Sequence, residues 1–332
     1  MLRVQHETEC SPIFCSGGLK NFHFFDIMRH RNSVVLKVSG SPRFYLLFSV
    51  VFLSQGLMRA KLPIIISVPH GGEIIAPEMS NRTLLSRSDI FSDGDPLTRE
   101  IYDFRNQVAY YFETTIARAT VDLNRSPDDL PPLNHDGVVK SHTVTGKGIY
   151  RNNHIPRKET VRLLLKKYYK PYHEGLALKS KKPLFCGIDC HTMLDRAPST
   201  TQLSGRNRPF ICLSNRGDRH GNKAKGRRLT CPPEMLRSLL RCMQEQFPEN
   251  AHDITLNDPF LGGYIIRQHS KDLPWIQVEL NRNSYLAPEW YDPENLEVCH
   301  KRIAELRTRL FEAIRNFVGL NCHHSLLGNQ VA

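Results

Sequence analysis

The sequence comprises 332 residues with a mass of 38.2 kDa, of which 40% are hydrophobic and 23% charged, an ordinary composition for a globular protein. Its 45 Lys and Arg against 33 Asp and Glu give a formal net charge of +12, which suits an anionic partner. The densest basic stretch, residues 216–228, has three glycines and no aromatic residue between the charges. It therefore lacks the stacking surface of a nucleic-acid groove, so we predict a solvated loop there and no nucleic-acid partner.

The first sixty residues contain a pattern that resembles an export signal. An apolar run, Tyr45–Leu53, follows four basic residues and precedes small residues near Gly56, which is the order of a secretory signal peptide that starts at Met28. A start at Met28 predicts a periplasmic or secreted protein, and otherwise we expect a cytoplasmic one. The alternative interpretation of the run is a strand or short helix that feeds the core. The run is shorter than the roughly 20 apolar residues of a spanning helix, so no stable membrane anchor is expected.

The region from Lys61 onward alternates short apolar runs with helical patterns, which is typical of a sheet with crossover helices. Strands are predicted at residues 63–68, 120–123, 184–189, 209–214 and 275–280, and helices at residues 97–112, 160–178 and 293–318. No repeat or low-complexity linker interrupts this region. We therefore predict an N-terminal extension over residues 1–60, a single α/β domain over residues 61–320 and a tail over residues 321–332. In such sheets, functional groups gather at the carboxyl ends of strands.

Three residues at predicted strand ends have the types and spacing of a catalytic zinc site. His70 and Glu73 form an H-x-x-E pair after the first buried strand, and His191 follows another buried strand. Two close ligands plus one remote ligand leave a fourth position for water, so we predict Zn²⁺ as the cofactor. Asp189 precedes His191 by two residues and shares its face of the strand, where it can orient the imidazole. The alternative is a hydrogen-bonded structural role for each histidine and a turn role for Asp189.

A general base and a cation for the substrate complete the predicted site. Glu279 ends a buried apolar strand. A buried carboxylate there lowers the folding stability unless it has a polar partner, so it is expected only with such a partner or with a catalytic role. The alternative for Glu279 is a salt bridge with Arg282. Arg125 and Arg267 lie near strand ends and can present a bidentate fork to a substrate carboxylate or a developing oxyanion, although an exposed surface role is as plausible for either. The sequence contains no serine-hydrolase elbow and no nucleotide-binding glycine loop.

Six motifs together resemble the N-formylglutamate amidohydrolase family in order and spacing. They are SVPHGG at 67–72, DLNRSPDD at 122–129, YKPYH at 169–173, DCHT at 189–192, GGYIIR at 262–267 and QVE at 277–279, within residues 63–286. The resemblance implies a three-layer α/β/α fold with a mixed central sheet, like that of zinc-dependent exopeptidases of the carboxypeptidase and aspartoacylase type. It also implies zinc on His70, Glu73 and His191. The general base is then Glu279, while Asn124 and Arg125 grip a substrate carboxylate.

The expected function is hydrolysis of the amide bond of an N-acyl acidic amino acid such as N-formylglutamate. A carboxypeptidase-like or cell-wall peptide amidase is the alternative enzyme, and a binding protein without catalysis is the alternative from another class. The enzymes differ in the site that they need, because a formyl pocket is small and closed, whereas a peptidase needs an open cleft.

Overall fold

The structure is a computed structural model that describes residues 61–151 and 155–327 and two further strands, β1 (Phe25–His30) and β2 (Ser33–Val38), which pair antiparallel. The chain divides into two units, Met1–Ala60 and Lys61–Ala332. The apolar run Tyr45–Leu53, and with it the predicted export signal, lies outside the described residues.

A six-stranded mixed sheet forms the centre of the second unit. Its strands are β3 (Leu62–Val68), β4 (Val108–Glu113), β5 (Cys186–Met193), β6 (Ile211–Ser214), β7 (Ile254–Leu256) and β8 (Trp275–Asn281). Their order across the sheet is β4-β3-β5-β8-β6-β7. All neighbours are parallel except β6 and β8, which run antiparallel. The central strands β5 and β8 are buried along their whole length. A strand buried on both faces is typically apolar, but each of these two carries polar residues toward its carboxyl end, including His191 and Glu279.

Helices cover both faces of this sheet. They are α1 (Arg87–Asp93), α2 (Thr98–Ile101), α3 (Lys158–Leu164), α4 (Lys170–Ser180), α5 (Pro233–Gln246), α6 (Tyr264–His269), α7 (Asn283–Leu286) and α8 (His300–Leu327). A π-helical turn, Leu165–Tyr169, joins α3 to α4. Short 3₁₀ helices lie at Pro77–Met79 and Pro248–Asp253, and a small hairpin pairs β9 (Tyr291–Asp292) with β10 (Glu297–Val298).

Two hydrophobic cores show that the sheet is the middle of three layers. Ile64 and Ile66 of β3 pack into a core with α5 and α8, where Leu236 and Leu310 are fully buried. Ile65, between them, packs into a second core with α4 and α6. Successive residues of a strand point to opposite faces, so the two cores lie on opposite sides of the sheet. The predicted three-layer α/β/α fold with a mixed sheet is confirmed.

Most predicted elements are confirmed, but two are wrong. The predicted helix over residues 97–112 is a short helix, Thr98–Ile101, followed by the edge strand β4. Val108 is β-branched and residues 110–112 are aromatic, which favours a strand, and the segment pairs with β3. Residues 120–123 form turns and no strand. The last helix begins at His300 and not at the predicted residue 293, because strands β9 and β10 form a hairpin just before it. It continues to Leu327, beyond the predicted start of a tail at residue 321. Residues 216–228 are a loop of turns, as predicted.

Every helix within residues 61–151 and 155–327 is too short or too polar to cross a lipid bilayer.

Candidate active site and metal centre

Polar side chains meet at the carboxyl edge of three parallel strands. His70 follows β3 by two residues, His191 lies near the end of β5 and Glu279 lies near the end of β8. His191 and Glu279 are register partners in neighbouring strands, so their side chains stand at the same height on the sheet. All three line a cavity of about 820 Å³. This volume is within the usual range of sites for small molecules.

The described residues bring His70, Asp95 and His191 together as a buried group that can hold a metal ion, with one ligand atom of each within 4.8 Å of the others. Oδ2 of Asp95 lies 3.0 Å from Nδ1 of His191 and 3.3 Å from Nδ1 of His70. In a tetrahedral zinc site with bonds of about 2.0 Å, ligand atoms are about 3.3 Å apart. Nδ1 of His70 is buried and makes no hydrogen bond to any residue that the structure describes, as expected of an atom whose partner is a metal ion. The residues therefore fit a zinc ion.

The far nitrogen of each histidine ring contacts a buried carboxylate. Nε2 of His70 lies 2.8 Å from Oδ1 of Asp122, and Nε2 of His191 lies 2.8 Å from Oδ2 of Asp189. Asp189 also accepts a hydrogen bond of 2.7 Å from the hydroxyl of Ser67. A carboxylate behind a metal-binding imidazole fixes the ring orientation and makes the nitrogen on the metal side more basic. Both histidines therefore present Nδ1 to the same point.

Asp95 lies on the loop between α1 and α2, and several contacts fix its position. Its backbone N–H donates to the carbonyl of His70 at 3.0 Å. Nη2 of Arg282 donates to Oδ1 of Asp95 at 3.0 Å, and Nη1 of Arg282 donates to the Ser92 carbonyl at 2.9 Å. Burial opposes ionisation of this carboxyl, but the adjacent His70 and His191 hold the pKa of Asp95 well below its usual value. Asp95 is thus a carboxylate, the form that binds a metal ion.

Two predicted site residues do not reach this group. Glu73 is exposed and outside the cluster, because Gly72 and Ile74 form β-bridges that keep the chain extended after His70. Residues three apart share a face in a helical turn, but in an extended chain they are separated by roughly 10 Å. Arg267 is exposed on α6, with its Cζ 5.4 Å from the ring centre of Tyr264 and no place in the cavity wall. The expected geometry is wrong for both residues.

Glu279 is buried and faces the cavity without an ion pair to any described residue. Gln277 donates to Oε1 of Glu279 at 2.8 Å, and the backbone N–H of Gly263 donates to Gln277 at 2.7 Å. The pKa of Glu279 is raised because the carboxyl is buried, although the adjacent His191 acts in the opposite direction. Arg282, its alternative partner, binds Asp95 instead. A buried carboxylate held in place with a raised pKa is suited to accept a proton.

Asn124 and Arg125 both line the cavity, and each side chain also makes polar contacts within the protein. The amide nitrogen of Asn124 lies 3.1 Å from Nε2 of His191, and its oxygen accepts from the backbone of Ile265 at 2.7 Å. A Cβ on Gly263 would lie 2.3 Å from that amide nitrogen, so only glycine allows Asn124 to approach. Arg125 binds the carboxylate and the carbonyl of Asp136.

Sequence reasoning missed Asp95, Asp122, Arg118 and Arg208, all of which contact the site or line the cavity. Asp122 stands within the DLNRSPDD motif, so its position was visible although its role was not. Asp95 stands between a glycine and a proline, where an acid is ordinarily a turn residue. Nothing local distinguishes it from such a residue, because its partner His70 is 25 positions away.

Two of the solved structures that resemble this chain show the same fold. An N-formylglutamate amidohydrolase from Ralstonia eutropha JMP134 superposes with a TM-score of 0.61 at 19% sequence identity, over 77% of this chain and 93% of that protein. A gene product of Agrobacterium tumefaciens superposes with a TM-score of 0.52 at 11% identity, over 79% of this chain and 93% of that protein. None of the curated proteins compared with the chain matches it.

A sequence model of N-formylglutamate amidohydrolase matches residues 62–286, more than half of the chain. The match covers the region of the six motifs, the strands β3, β5 and β8, and the residues of the cavity wall. An amidohydrolase splits an amide bond with water, so the chain is a hydrolase that acts on amides. It belongs to the N-formylglutamate amidohydrolase family.

Proposed function

We propose that this protein hydrolyses the amide bond of an N-acyl acidic amino acid, such as N-formylglutamate, with one zinc ion held by His70, Asp95 and His191. The observation that carries the proposal is the buried group of these three residues at the edge of the sheet, with Glu279 beside it. Asp95 takes the place that the sequence suggested for Glu73. Two histidines and one carboxylate are a common ligand set for catalytic zinc.

A zinc ion held there supplies a Lewis acid for the amide carbonyl and lowers the pKa of water to about 7. Glu279 accepts a proton from the attacking water and returns it to the leaving amine, so it alternates between base and acid. Its raised pKa favours the first step, because a carboxylate with a higher proton affinity takes up the proton of the water more readily and holds it until the amine leaves. Asp122 and Asp189 keep the two imidazoles oriented throughout.

The substrate carboxylate meets Asn124 and Arg125 in this proposal. The hydrogen bonds of Arg125 run through Nε and Nη2, and its other terminal nitrogen, Nη1, has no partner among the described residues. This nitrogen can donate to a carboxylate without breaking the pair with Asp136. The preference for a small acyl amino acid over a longer peptide rests on family membership.

Metal analysis of three variants tests the ligand set. The wild-type protein should hold about one zinc per chain, whereas Asp95→Asn and His191→Ala should lose both zinc and activity. Glu73→Gln is the matched control and should keep both, because Glu73 is exposed. Loss of zinc from Glu73→Gln with retention in Asp95→Asn would restore the H-x-x-E assignment and reject ours.

A substrate panel tests the reaction. N-formylglutamate, N-formylaspartate, N-acetylglutamate and a short peptide with a free carboxyl terminus are offered to the zinc-loaded protein. We expect release of the free amino acid from the acyl acidic amino acids. Cleavage of the peptide alone would make the protein a carboxypeptidase-like enzyme instead.

A further inference from the structure

Within the described part of the chain, four arginines line the cavity, and one of them has no carboxylate partner. Arg118 pairs with Asp122 at 2.8 Å, Arg125 pairs with Asp136, and Arg282 pairs with Asp95 at 3.0 Å. Arg208 forms no ion pair with any residue that the structure describes. Its Nε is buried and has no hydrogen-bond partner within residues 61–151 and 155–327. A guanidinium without an ion pair can donate hydrogen bonds to an anion that enters the cavity.

The topology of the sheet explains how Arg208 reaches the catalytic edge. Arg208 stands three residues before β6, and β6 runs antiparallel to β8. The start of β6 therefore lies beside the end of β8, where Glu279 is located. Ile211 at the start of β6 is the register partner of Leu280, the residue after Glu279. Arg208 consequently lies in the same cavity wall as Glu279.

The backbone and the side chain of Arg208 are both held in place. Its N–H donates to the carbonyl of Asp195 at 2.8 Å, and the side-chain amide of Asn281 donates to its carbonyl at 3.0 Å. The guanidinium lies over the ring of Phe260, with Cζ 4.8 Å from the ring centre. Stacking on an aromatic ring fixes the plane of a guanidinium and leaves its edge free for a bidentate contact. The fork is therefore oriented before a ligand arrives.

We propose that Arg208 binds the side-chain carboxylate of the substrate and determines the preference for acidic amino acids. This inference rests on the proposed function, because it concerns the substrate of the same site. An N-acyl acidic amino acid carries two carboxylates, and Asn124 with Arg125 accounts for only one of them. Arg118 and Arg282 are occupied by buried carboxylates, so releasing either for a substrate would leave an unpaired buried charge. Arg208 can take the second carboxylate without that loss.

The kinetic test compares N-formylglutamate with N-formylglutamine, which has the same shape and an uncharged side chain. Arg208→Gln should lower kcat/KM for N-formylglutamate by about 10- to 100-fold, chiefly through KM, and change that for N-formylglutamine by less than about 3-fold. Arg208→Lys should fall between wild type and Arg208→Gln, because it keeps the charge and loses the fork. Equal losses on both substrates would overturn the proposal and point to an oxyanion or structural role.

A control variant and a binding measurement keep the test independent of folding and of turnover. Arg206→Gln should leave both substrates unaffected, since Arg206 lies on the surface with Asp258 and outside the cavity wall. Melting temperature and zinc content of each variant should match wild type. By calorimetry, wild type should bind L-glutamate more tightly than L-glutamine, and Arg208→Gln should remove that difference. If Arg208→Gln kept the wild-type difference in affinity between L-glutamate and L-glutamine, the assignment of Arg208 would be overturned, whatever the activity. If that difference depends on Arg208 but the wild-type protein hydrolyses neither substrate, only the proposed function would be contradicted.

Discussion

Glu279 and Arg282 stand three residues apart, and the structure gives them separate tasks. Arg282 fixes the loop that carries Asp95 through contacts with Asp95, Gly94 and Ser92. Glu279 has no ion pair among the described residues and is held by Gln277 alone. A carboxylate that is buried, raised in pKa and without a cationic partner costs stability. Such a cost is expected where the group serves the reaction.

The substitution Glu279→Gln separates this catalytic role from a structural one. Glutamine keeps the shape and can still bond to Gln277, but it cannot take up a proton. We expect a folded, zinc-loaded variant with kcat lowered by about 10² to 10⁴. Melting temperature, zinc content and kcat are measured on one preparation, with the exposed Glu289→Gln as the matched control. Unchanged kcat with intact zinc would remove Glu279 from the mechanism.

Among the secondary-structure elements, α4 and α6 are joined by a pair of histidines, His173 and His269, next to the loop that carries Asn124 and Arg125. Nε2 of His173 lies 2.9 Å from the carbonyl of Leu123, so this nitrogen carries the proton and donates. Nδ1 of His173 is then the acceptor for Nε2 of His269, at 3.0 Å. Both rings are neutral in this arrangement. The hydrogen bond from His173 to Leu123 fixes the backbone immediately before Asn124. The two helices thereby help to position Asn124 in the site.

Burial lowers the pKa of both His173 and His269 from 6.5 to about 4, which predicts a pH-dependent stability. Between these values the unfolded chain binds protons that the folded chain excludes. The stabilisation is therefore complete above pH 6.5 and is lost as the pH falls toward 4, by at most about 1.4 kcal/mol per pH unit for each ring.

Urea unfolding of wild type and His269→Gln at several pH values measures this effect. Glutamine removes one titrating group and can still donate to His173, so the free energy of unfolding should fall less steeply with acid in the variant. The exposed His252→Gln is the control and should follow wild type. Parallel curves for wild type and His269→Gln would show that this pair does not titrate as we expect.

Across the complete fold, the proposed metal centre connects segments that are far apart in the chain. His70 follows β3, Asp95 lies between α1 and α2, and His191 lies in β5. A ligand that binds only the folded state stabilises it, by about 4 kcal/mol when its concentration is a thousand times its Kd. The zinc ion should therefore contribute to global stability as well as to catalysis.

Chelation of the metal should lower the melting temperature of the wild-type protein on the order of 10 °C, and added Zn²⁺ should restore it. Asp95→Asn should not respond to either treatment, because it lacks a ligand. Scanning calorimetry with and without chelator, together with metal analysis, measures both proteins. An equal response of Asp95→Asn would show that the stabilising ion binds elsewhere.

Local signals in the sequence were sufficient to predict several elements of the fold. The buried runs of β3, β5, β6 and β8 and the helical patterns near α4 and α8 were predicted from such signals. Burial of a strand on both faces leaves a mainly apolar run in the sequence, and burial of one stripe of a helix leaves a helical period. The order of the six motifs was enough to predict the family. His70, His191 and Glu279 were visible because each ends or follows such a strand.

Which side chains share the site depends on contacts that form only when the chain is folded. Glu73 has the spacing of a ligand, but an extended backbone after His70 carries it into solvent, whereas Asp95 is brought in by a loop with no distinctive sequence. Arg208 reaches the cavity because β6 runs antiparallel to its neighbour. Strand direction and loop path depend on packing between residues distant in the chain. Spacing along a sequence predicts a contact only where the backbone between two residues has a known, regular form, and at this site it does not.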